Sequence, residues 1–341
     1  MDERTDIYLV TRRILWEKQV SGHVLILVGG GGHSGYAYAL SQALHKKMKL
    51  SFLVPDGDVL SEKRLRKFGD VNFLIKPRGP KTSTQQFIPR LAKAFIESVG
   101  QPFNEFDVVV SSGSNFSVLP AIMAWMRGVP VVSIESPVRF SKPSKTARIL
   151  QHFSAVTALH WEEQKKLLNG VVVGPIVPDV ELKPENKGYI LVTGGTHGHR
   201  LLFDAMAESN LNNVVLQTGK VDPKPYADKH PEWKVLTFTE KFQELLAGAE
   251  VVVTHFGSTA LEAAMVYKKP VVIVLNPEWT RTVGAEDAEI LAEKLNAVFV
   301  SETNLETLLN AIDEAKDRTV TALPPGAENL AKIILELSQR K

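Results

Sequence analysis

The sequence predicts an α/β protein of two Rossmann-like, parallel-sheet units, and three observations predict it. Short apolar runs alternate with amphipathic stretches through nearly all 341 residues. The alternation runs twice, interrupted by a proline-marked polar stretch through Pro175, Pro178, Pro184, Glu185, Asn186 and Lys187. In each half, a strand breaks into a helix through a glycine-rich loop. Parallel neighbours need crossover connections, so this repetition requires parallel sheets with helices on both faces. The expected organisation is an amphipathic segment over 1–21, a first unit over 22–180, a second over 188–325, and a C-terminal helix over 326–341 that crosses back to the first.

Composition narrows the class. A 44% hydrophobic chain of this length can bury two cores. Forty basic side chains against thirty-eight acidic ones leave no net field for a nucleic-acid partner. Without cysteine there is no disulfide, thiolate zinc site or cysteine nucleophile. No window approaches the ~20 apolar residues of a spanning helix, and the first thirty residues lack a signal-peptide cleavage pattern, so a soluble or peripheral protein is expected.

Taken in order, Ile7 to Val20 reads as a basic amphipathic helix with Arg12, Arg13 and Lys18. It lies on an anionic membrane surface or packs on its own domain. Strand His23 to Val28 follows, then a glycine loop and helix Ser34 to Lys47. Strands Leu50 to Val54 and Val71 to Ile75 flank a helix near Leu60 to Phe68. Helix Thr84 to Val99, strand Phe106 to Val110, helix Phe116 to Arg127 and strand Val129 to Ile134 come next. Strand Ser154 to Ala158, helix Trp161 to Leu168 and strand Val171 to Val173 close the half. The second half reads as strand Tyr189 to Val192, helix Arg200 to Ala207, strands Val214 to Gln217 and Trp233 to Leu236, and helix Lys241 to Leu246. Strand Val251 to Thr254, helix Ser258 to Val266, strand Pro270 to Leu275 and helix Ala285 to Leu295 complete its core. Helices Leu305 to Ala315 and Ala327 to Ser338 cover the sheet, and two such units in tandem are expected to leave a cleft.

The chemistry concentrates in the loops. After strand Val251 to Thr254, the chain reads His255-Phe256-Gly257-Ser258-Thr259 and opens a helix. First-turn amides, two hydroxyls and the positive end of the helix dipole there suit an anion such as a nucleotide diphosphate. Glu262, one turn on, suits a ribose diol; equally, Thr259-x-x-Glu262 fits a capping box that only ties down the helix start. In the first half, Gly29-Gly30-Gly31-Gly32-His33-Ser34-Gly35 lets a phosphate or sugar approach the backbone. Gly30, Gly32 and Gly35 also fit G-x-G-x-x-G with Asp56 some twenty residues on, which keeps a nicotinamide-binding domain open. His33 favours proton removal from a hydroxyl, since imidazole titrates near neutrality, although it can also serve merely as a helix cap. Glu135-Ser136-Pro137 ends a strand, where the carboxylate positions His33, holds a substrate hydroxyl, or makes a turn. Ser111-Ser112-Gly113-Ser114-Asn115 offers hydroxyls and an amide to the same crevice. Thr193-Gly194-Gly195-Thr196-His197-Gly198-His199 repeats the strand, glycine loop, helix design. Its two histidines are spaced poorly for a metal, and none is expected.

Four stretches in order, GGGGH at 29–33, SGSNFSVLPAIMAWMRGVPVVSIES at 112–136, VTGGT at 192–196 and HFGSTALE at 255–262, resemble inverting GT-B glycosyltransferases of the MurG type. The first half is similar to the acceptor-side subunit of the two-subunit transferase that adds the second N-acetylglucosamine to dolichyl diphosphate in N-glycosylation, and the second half to its donor-binding partner. The resemblance implies a UDP-sugar donor held by Gly194, Gly195, Thr196, His255, Gly257, Ser258, Thr259 and Glu262. It implies an acceptor on polyprenyl diphosphate at Gly30, Gly31, Gly32, Ser34, Ser114, Asn115 and Ser136, with His33 as base and Glu135 on the acceptor side. It implies a peripheral enzyme on the cytoplasmic face of the membrane, with no cofactor and no nucleic-acid partner. The chain departs from that pattern at its start, where it has at most the amphipathic segment. It departs again at Ala285-Glu286-Asp287-Ala288, where the donor subunit has an Asn-His-Gln-like sugar contact, and this leaves the hexose open. A UDP-hexuronate transferase, a UDP-sugar 2-epimerase, an NAD-dependent oxidoreductase and a non-catalytic partner are the other readings.

Overall fold

The computed structural model describes residues 22–79, 82–279, 284–320 and 322–340. The amphipathic segment expected over 1–21 therefore lies outside the described residues. The chain divides into two compact units, one of Met1–Ser136, Pro143–Ile176 and Pro325–Lys341, the other of Pro137–Lys142 and Val177–Pro324.

Unit 1 carries β1 (His23–Leu27), α1 (Gly32–Leu44), β2 (Lys49–Pro55), α2 (Val59–Leu65), β3 (Gly69–Leu74), α3 (Thr84–Val99), β4 (Val108–Ser111), α4 (Val118–Met126), β5 (Val131–Ile134), α5 (Lys145–Leu150), β6 (Val156–Leu159) and β7 (Val171–Val172). The C-terminal helix, Gly326–Ser338, joins them. Its sheet runs β3-β2-β1-β4-β5-β6-β7, parallel throughout. Val24, Ile26 and Val28 pack on one face with Leu40 and Leu44 of α1 and Leu330 and Ile334 of the C-terminal helix. Leu25 and Leu27 pack on the other with Val109, Phe116 and Ala124. Side chains alternate along a strand, so a strand covered on both faces reads as an unbroken apolar run. Each fully buried leucine or isoleucine contributes about 1.5–3 kcal/mol.

Unit 2 carries β8 (Tyr189–Thr193), α6 (Arg200–Met206), β9 (Val214–Gln217), α7 (Lys224–Lys229), β10 (Lys234–Leu236), α8 (Phe242–Gly248), β11 (Ala249–Thr254), α9 (Ser258–Leu261), β12 (Val271–Val274), α10 (Ala285–Leu295), β13 (Val298–Val300) and α11 (Leu305–Lys316). Its strands lie in the order β10-β9-β8-β11-β12-β13, again all parallel. Strand order reverses between β1 and β4 in one unit and between β8 and β11 in the other. Ligands of open α/β sheets bind beyond the carboxyl ends of the strands at that reversal. All four loops beyond those strand ends are ones the sequence singles out.

Several elements differ from expectation. The helix expected over Trp161 to Leu168 is a short 3₁₀ turn, Glu162–Lys166. There the Gln164 side chain accepts from the backbone N–H of His160 (2.7 Å) and donates to Ser136 O (2.7 Å), which tightens the turn. The helix expected over Ser258 to Val266 is α-helical only to Leu261 and then widens into a π turn closed by Tyr267 N–H donating to Glu262 O at 3.2 Å. Helices α5 and α7 and strand β13 were not expected. No described helix is long and apolar enough to cross a membrane.

Candidate active site

In unit 1 the loop after β1 and the loop after β4 meet around His33. Its Nδ1 lies 2.8 Å from Ser112 O; a carbonyl only accepts, so Nδ1 carries the proton and Nε2 has the lone pair. Nε2 has no hydrogen-bond partner among the described residues. Burial pushes the His33 pKa down, the Lys76 ammonium adds to this, and the bond to Ser112 opposes it. The ring is neutral at pH 7 and presents a basic nitrogen.

The backbone is shaped to that ring. Gly113 has φ +100°, and a Cβ there would stand 2.7 Å from His33 Nδ1. A Cβ on Gly29 would meet Ser114 Cβ at 2.6 Å and Gly113 O at 2.7 Å. Ser112 locks the two loops together: its hydroxyl donates to Leu27 O (2.9 Å) and accepts from Gly29 N–H (3.1 Å). Ser114 holds φ 71°, unusual for a residue with a side chain and the kind of strain found at functional sites. Asn115 is exposed, and its amide donates to Arg78 O (3.0 Å). Gly30 has φ 76°, Gly31 and Gly32 are exposed, and the Ser34 hydroxyl donates to Gly31 O at 2.7 Å.

Glu135 is fully buried, and its two oxygens accept from the backbone N–H groups of Ser136 (2.6 Å) and Ser144 (2.8 Å). It closes the loop between β5 and α5, and it makes no hydrogen bond to His33. The group that orients His33 is the Ser112 carbonyl. Behind Glu135, His160 donates from Nε2 to Glu135 O (2.9 Å) and accepts at Nδ1 from Ile176 N–H (3.2 Å). Tyr36 lies between the imidazoles, 5.9 Å from His33 and 5.6 Å from His160 by ring centres.

In unit 2 the loops after β8 and β11 also touch. A Cβ on Gly195, at φ +63°, would stand 3.3 Å from His255 Cε1. Gly194 has no room for one, since Gly198 C and His199 N lie 2.3 Å from where it would be. Gly195 N–H donates to Thr193 Oγ1 at 3.1 Å, and Thr196 is exposed. Gly257 holds φ 156°, ψ −167°, a region essentially restricted to glycine, and it opens α9 with no side chain capping the helix. The capping-box alternative for Thr259 and Glu262 is therefore not what the chain adopts. The first-turn amides of Ser258 and Thr259 lie beyond the reach of intrahelical acceptors, and both residues are partly exposed. Glu262 is 9% exposed and accepts from the Gln243 side chain at 3.1 Å. It begins the π turn, and such turns recur at functional sites.

Of the two histidines in the loop after β8, His199 is structural: it caps α6 through Nδ1, and its Nε2 donates to Leu275 O at 3.2 Å. His255 is pushed down to about 4, by burial first and by His199 and His197 after it. Asp287, two residues into α10, accepts from Phe140 N–H and Ser141 N–H, each at 2.7 Å, and so holds the segment Pro137–Lys142 rather than facing solvent. Sequence reasoning missed Lys76, His160 and Gln243, and singled out Asp287 only as a departure at a sugar-contact position. Each stands outside the glycine loops; Lys76 and His160 lie just beyond strand ends, a placement that gains meaning only with their long-range partners.

Residues 189–339 match the glycosyltransferase family 28 C-terminal domain. Along the chain there is 26% identity over 358 residues to the UDP-N-acetylglucosamine--N-acetylmuramyl-(pentapeptide) pyrophosphoryl-undecaprenol N-acetylglucosamine transferase of Myxococcus xanthus, covering 92% of each chain. Among solved structures, MurG of Acinetobacter baumannii aligns with a TM-score of 0.63 at 18% identity, over 92% of this chain and 99% of that one. UDP-GlcNAc 2-epimerase of Neisseria meningitidis aligns at 0.64 and 16% identity, over 94% and 100%. These two likenesses show the fold. With its parallel sheets and switch-point loops, the chain has the GT-B fold, and its second half matches a glycosyltransferase domain. More narrowly the chain is similar to the MurG type of UDP-sugar-dependent transferase.

Proposed function

We propose that this UDP-sugar-dependent hexosyltransferase moves N-acetylglucosamine from UDP-GlcNAc to a sugar carried on polyprenyl diphosphate, in one inverting displacement. The observation that carries the reading is the turn after β11. Gly257 in a glycine-only conformation opens a helix with no side-chain cap, and Glu262 follows outside any capping box. This sits within a stretch that matches a glycosyltransferase domain. The amides of Ser258 and Thr259 with the helix dipole stabilise the leaving diphosphate, aided by the loop of Gly194, Gly195 and Thr196, while Glu262 accepts from the ribose hydroxyls. On unit 1, His33 Nε2 takes the proton from the acceptor hydroxyl as it attacks the anomeric carbon, a step worth about 10²–10⁴ in rate. Glu135 serves as a positioning residue that fixes the loop carrying Ser136.

The finer part of the proposal is the acceptor. The motifs of the first half favour N-acetylglucosamine on a dolichyl-type diphosphate, as in N-glycan assembly, whereas the Myxococcus relative's name specifies an N-acetylmuramyl-pentapeptide carrier. A lipid carrier accords with α3, where Ile88 (68% exposed), Phe95 (47%) and Ile96 (69%) stand in water beside Arg90 and Lys93. Apolar side chains among cations suit peripheral contact with an anionic membrane, here its cytoplasmic face.

Incubation with a panel of UDP-sugars against both lipid acceptors, read by mass, tests this. A UDP-GlcNAc-dependent gain of one N-acetylhexosamine on the GlcNAc carrier is expected. Gain on the muramyl carrier alone would correct the acceptor, and conversion of UDP-GlcNAc without any acceptor would replace transfer by epimerisation. The membrane part is read in the same assay: Ile96→Asp is expected to slow transfer to vesicle-borne acceptor and spare a short-chain soluble one. Equal rates would remove α3 from membrane contact.

A further inference from the structure

Lys76 stands just beyond the carboxyl end of β3, partly buried, with its ammonium on the loop that carries His33. Nζ donates to Gly29 O at 3.0 Å, its one hydrogen-bond acceptor among the described residues. An ammonium has three N–H groups, so two are left to spend. The neighbouring carboxylate, Asp58, is committed to capping α2, with Oδ1 accepting from Ser61 N–H (3.2 Å) and Oδ2 from the Ser61 hydroxyl (2.7 Å). The backbone beneath Lys76 is fixed, because Arg90 donates to Lys76 O from Nε (3.2 Å) and Nη2 (3.1 Å). The loop beside the ammonium is glycine: a Cβ on Gly30 would lie 3.9 Å from Nζ, 2.9 Å from Asp58 Oδ2 and 3.7 Å from Pro55 Cγ, and Gly31 and Gly32 are bare and exposed. A half-desolvated cation whose neighbouring carboxylate is spent on a helix cap, beside a bare glycine backbone, is built to receive an anion.

We propose that Lys76 receives the diphosphate of the lipid-linked acceptor, and that its place beside His33 couples acceptor binding to the base. The inference rests on the transfer reaction above and assigns its acceptor diphosphate to a residue. Next to burial, the Lys76 ammonium is what holds His33 toward its neutral form. Burial lowers the pKa of Lys76 itself, and Asp58 opposes that. A diphosphate on Nζ cancels the charge that His33 feels, so the imidazole becomes more basic when the hydroxyl it must deprotonate has arrived. The other titratable groups around the loop are Asp58 and, behind Tyr36, the buried neutral His160.

The test is a histidine NMR titration of the full chain with inorganic pyrophosphate as the probe. In the wild type, pyrophosphate is expected to move the His33 titration to higher pH. In Lys76→Met the titration is expected to lie higher without pyrophosphate, and roughly tenfold more pyrophosphate or above should be needed to move it further. Lys76→Arg, which keeps the charge, should restore the wild-type response. In turnover, Lys76→Met should raise KM for the lipid acceptor and leave KM for UDP-GlcNAc unchanged. Equal pyrophosphate affinity in wild type and Lys76→Met would overturn the proposal. So would a wild-type His33 that ignores pyrophosphate, a result that stands even if the variant fails to fold. Because the titration involves no transfer, a positive response without glycosyl transfer would discard the reaction and keep the anion site.

Discussion

His33 has one committed nitrogen and one uncommitted one, and the Ser112 carbonyl decides which is which. Its basic nitrogen is thus set by backbone that cannot titrate, unlike a histidine oriented by a carboxylate. His33→Ala is expected to lower kcat by about 10²–10⁴ while leaving UDP binding unchanged, since it removes proton transfer without touching unit 2. A pH profile checks the role independently. With the pKa lowered by burial and Lys76, wild-type kcat/KM should reach its plateau at a lower pH than an ordinary imidazole would allow, and the acid limb should vanish with the side chain. Unchanged turnover in His33→Ala would remove it from the chemistry.

At the scale of elements, the proposed function depends on turns that only glycine can make. Gly257 is the clearer case: a Cβ there would meet nothing closer than His255 Nε2 at 3.7 Å, so a substitution is opposed by conformation and not by crowding. Gly257→Ala should therefore cost about 1–3 kcal/mol locally. Because the strained residue opens α9, the loss should show first as weaker UDP binding by calorimetry, with the circular dichroism of the sheets intact. Wild-type UDP affinity in that variant would detach the turn from the nucleotide. These turns were legible in the sequence because glycine at a strand-to-helix junction has few other uses. The strands other than β13 were legible too, since burial on both faces writes an unbroken apolar run through most of them. What was not legible depends on single long-range bonds. Gln164 shortens a helix by reaching to Ser136 O, and Ser144 starts α5 while its own N–H donates to Glu135. Lys76 becomes informative only when β3 is laid beside β2 and the ammonium meets Gly29.

Across the whole molecule, two histidines in different units share one thermodynamic property. His160 in unit 1 is 1% exposed, and burial pushes its pKa down to about 4 against the opposing bond to Glu135 O. In unit 2, His255 is pushed to about the same value, about 4. Both fold neutral, whereas in the unfolded chain they titrate near 6.5. Between these values the unfolded state binds more protons, so stability rises with pH there; it is intact above 6.5 and lost as pH falls toward 4. For His160 alone the loss amounts to about 3 kcal/mol at the acid end, a sizeable part of a typical domain stability. Thermal melts should drop between pH 7 and pH 4.5, and both units should weaken over the same window because each holds one such ring. His160→Gln keeps a donor and an acceptor but cannot charge. It should be less stable than wild type at pH 7, from imperfect replacement of the bonds to Glu135 O and Ile176 N–H, yet lose less on acidification. A variant whose melting temperature falls with pH as steeply as the wild type would show that the buried imidazole in unit 1 does not drive the acid loss.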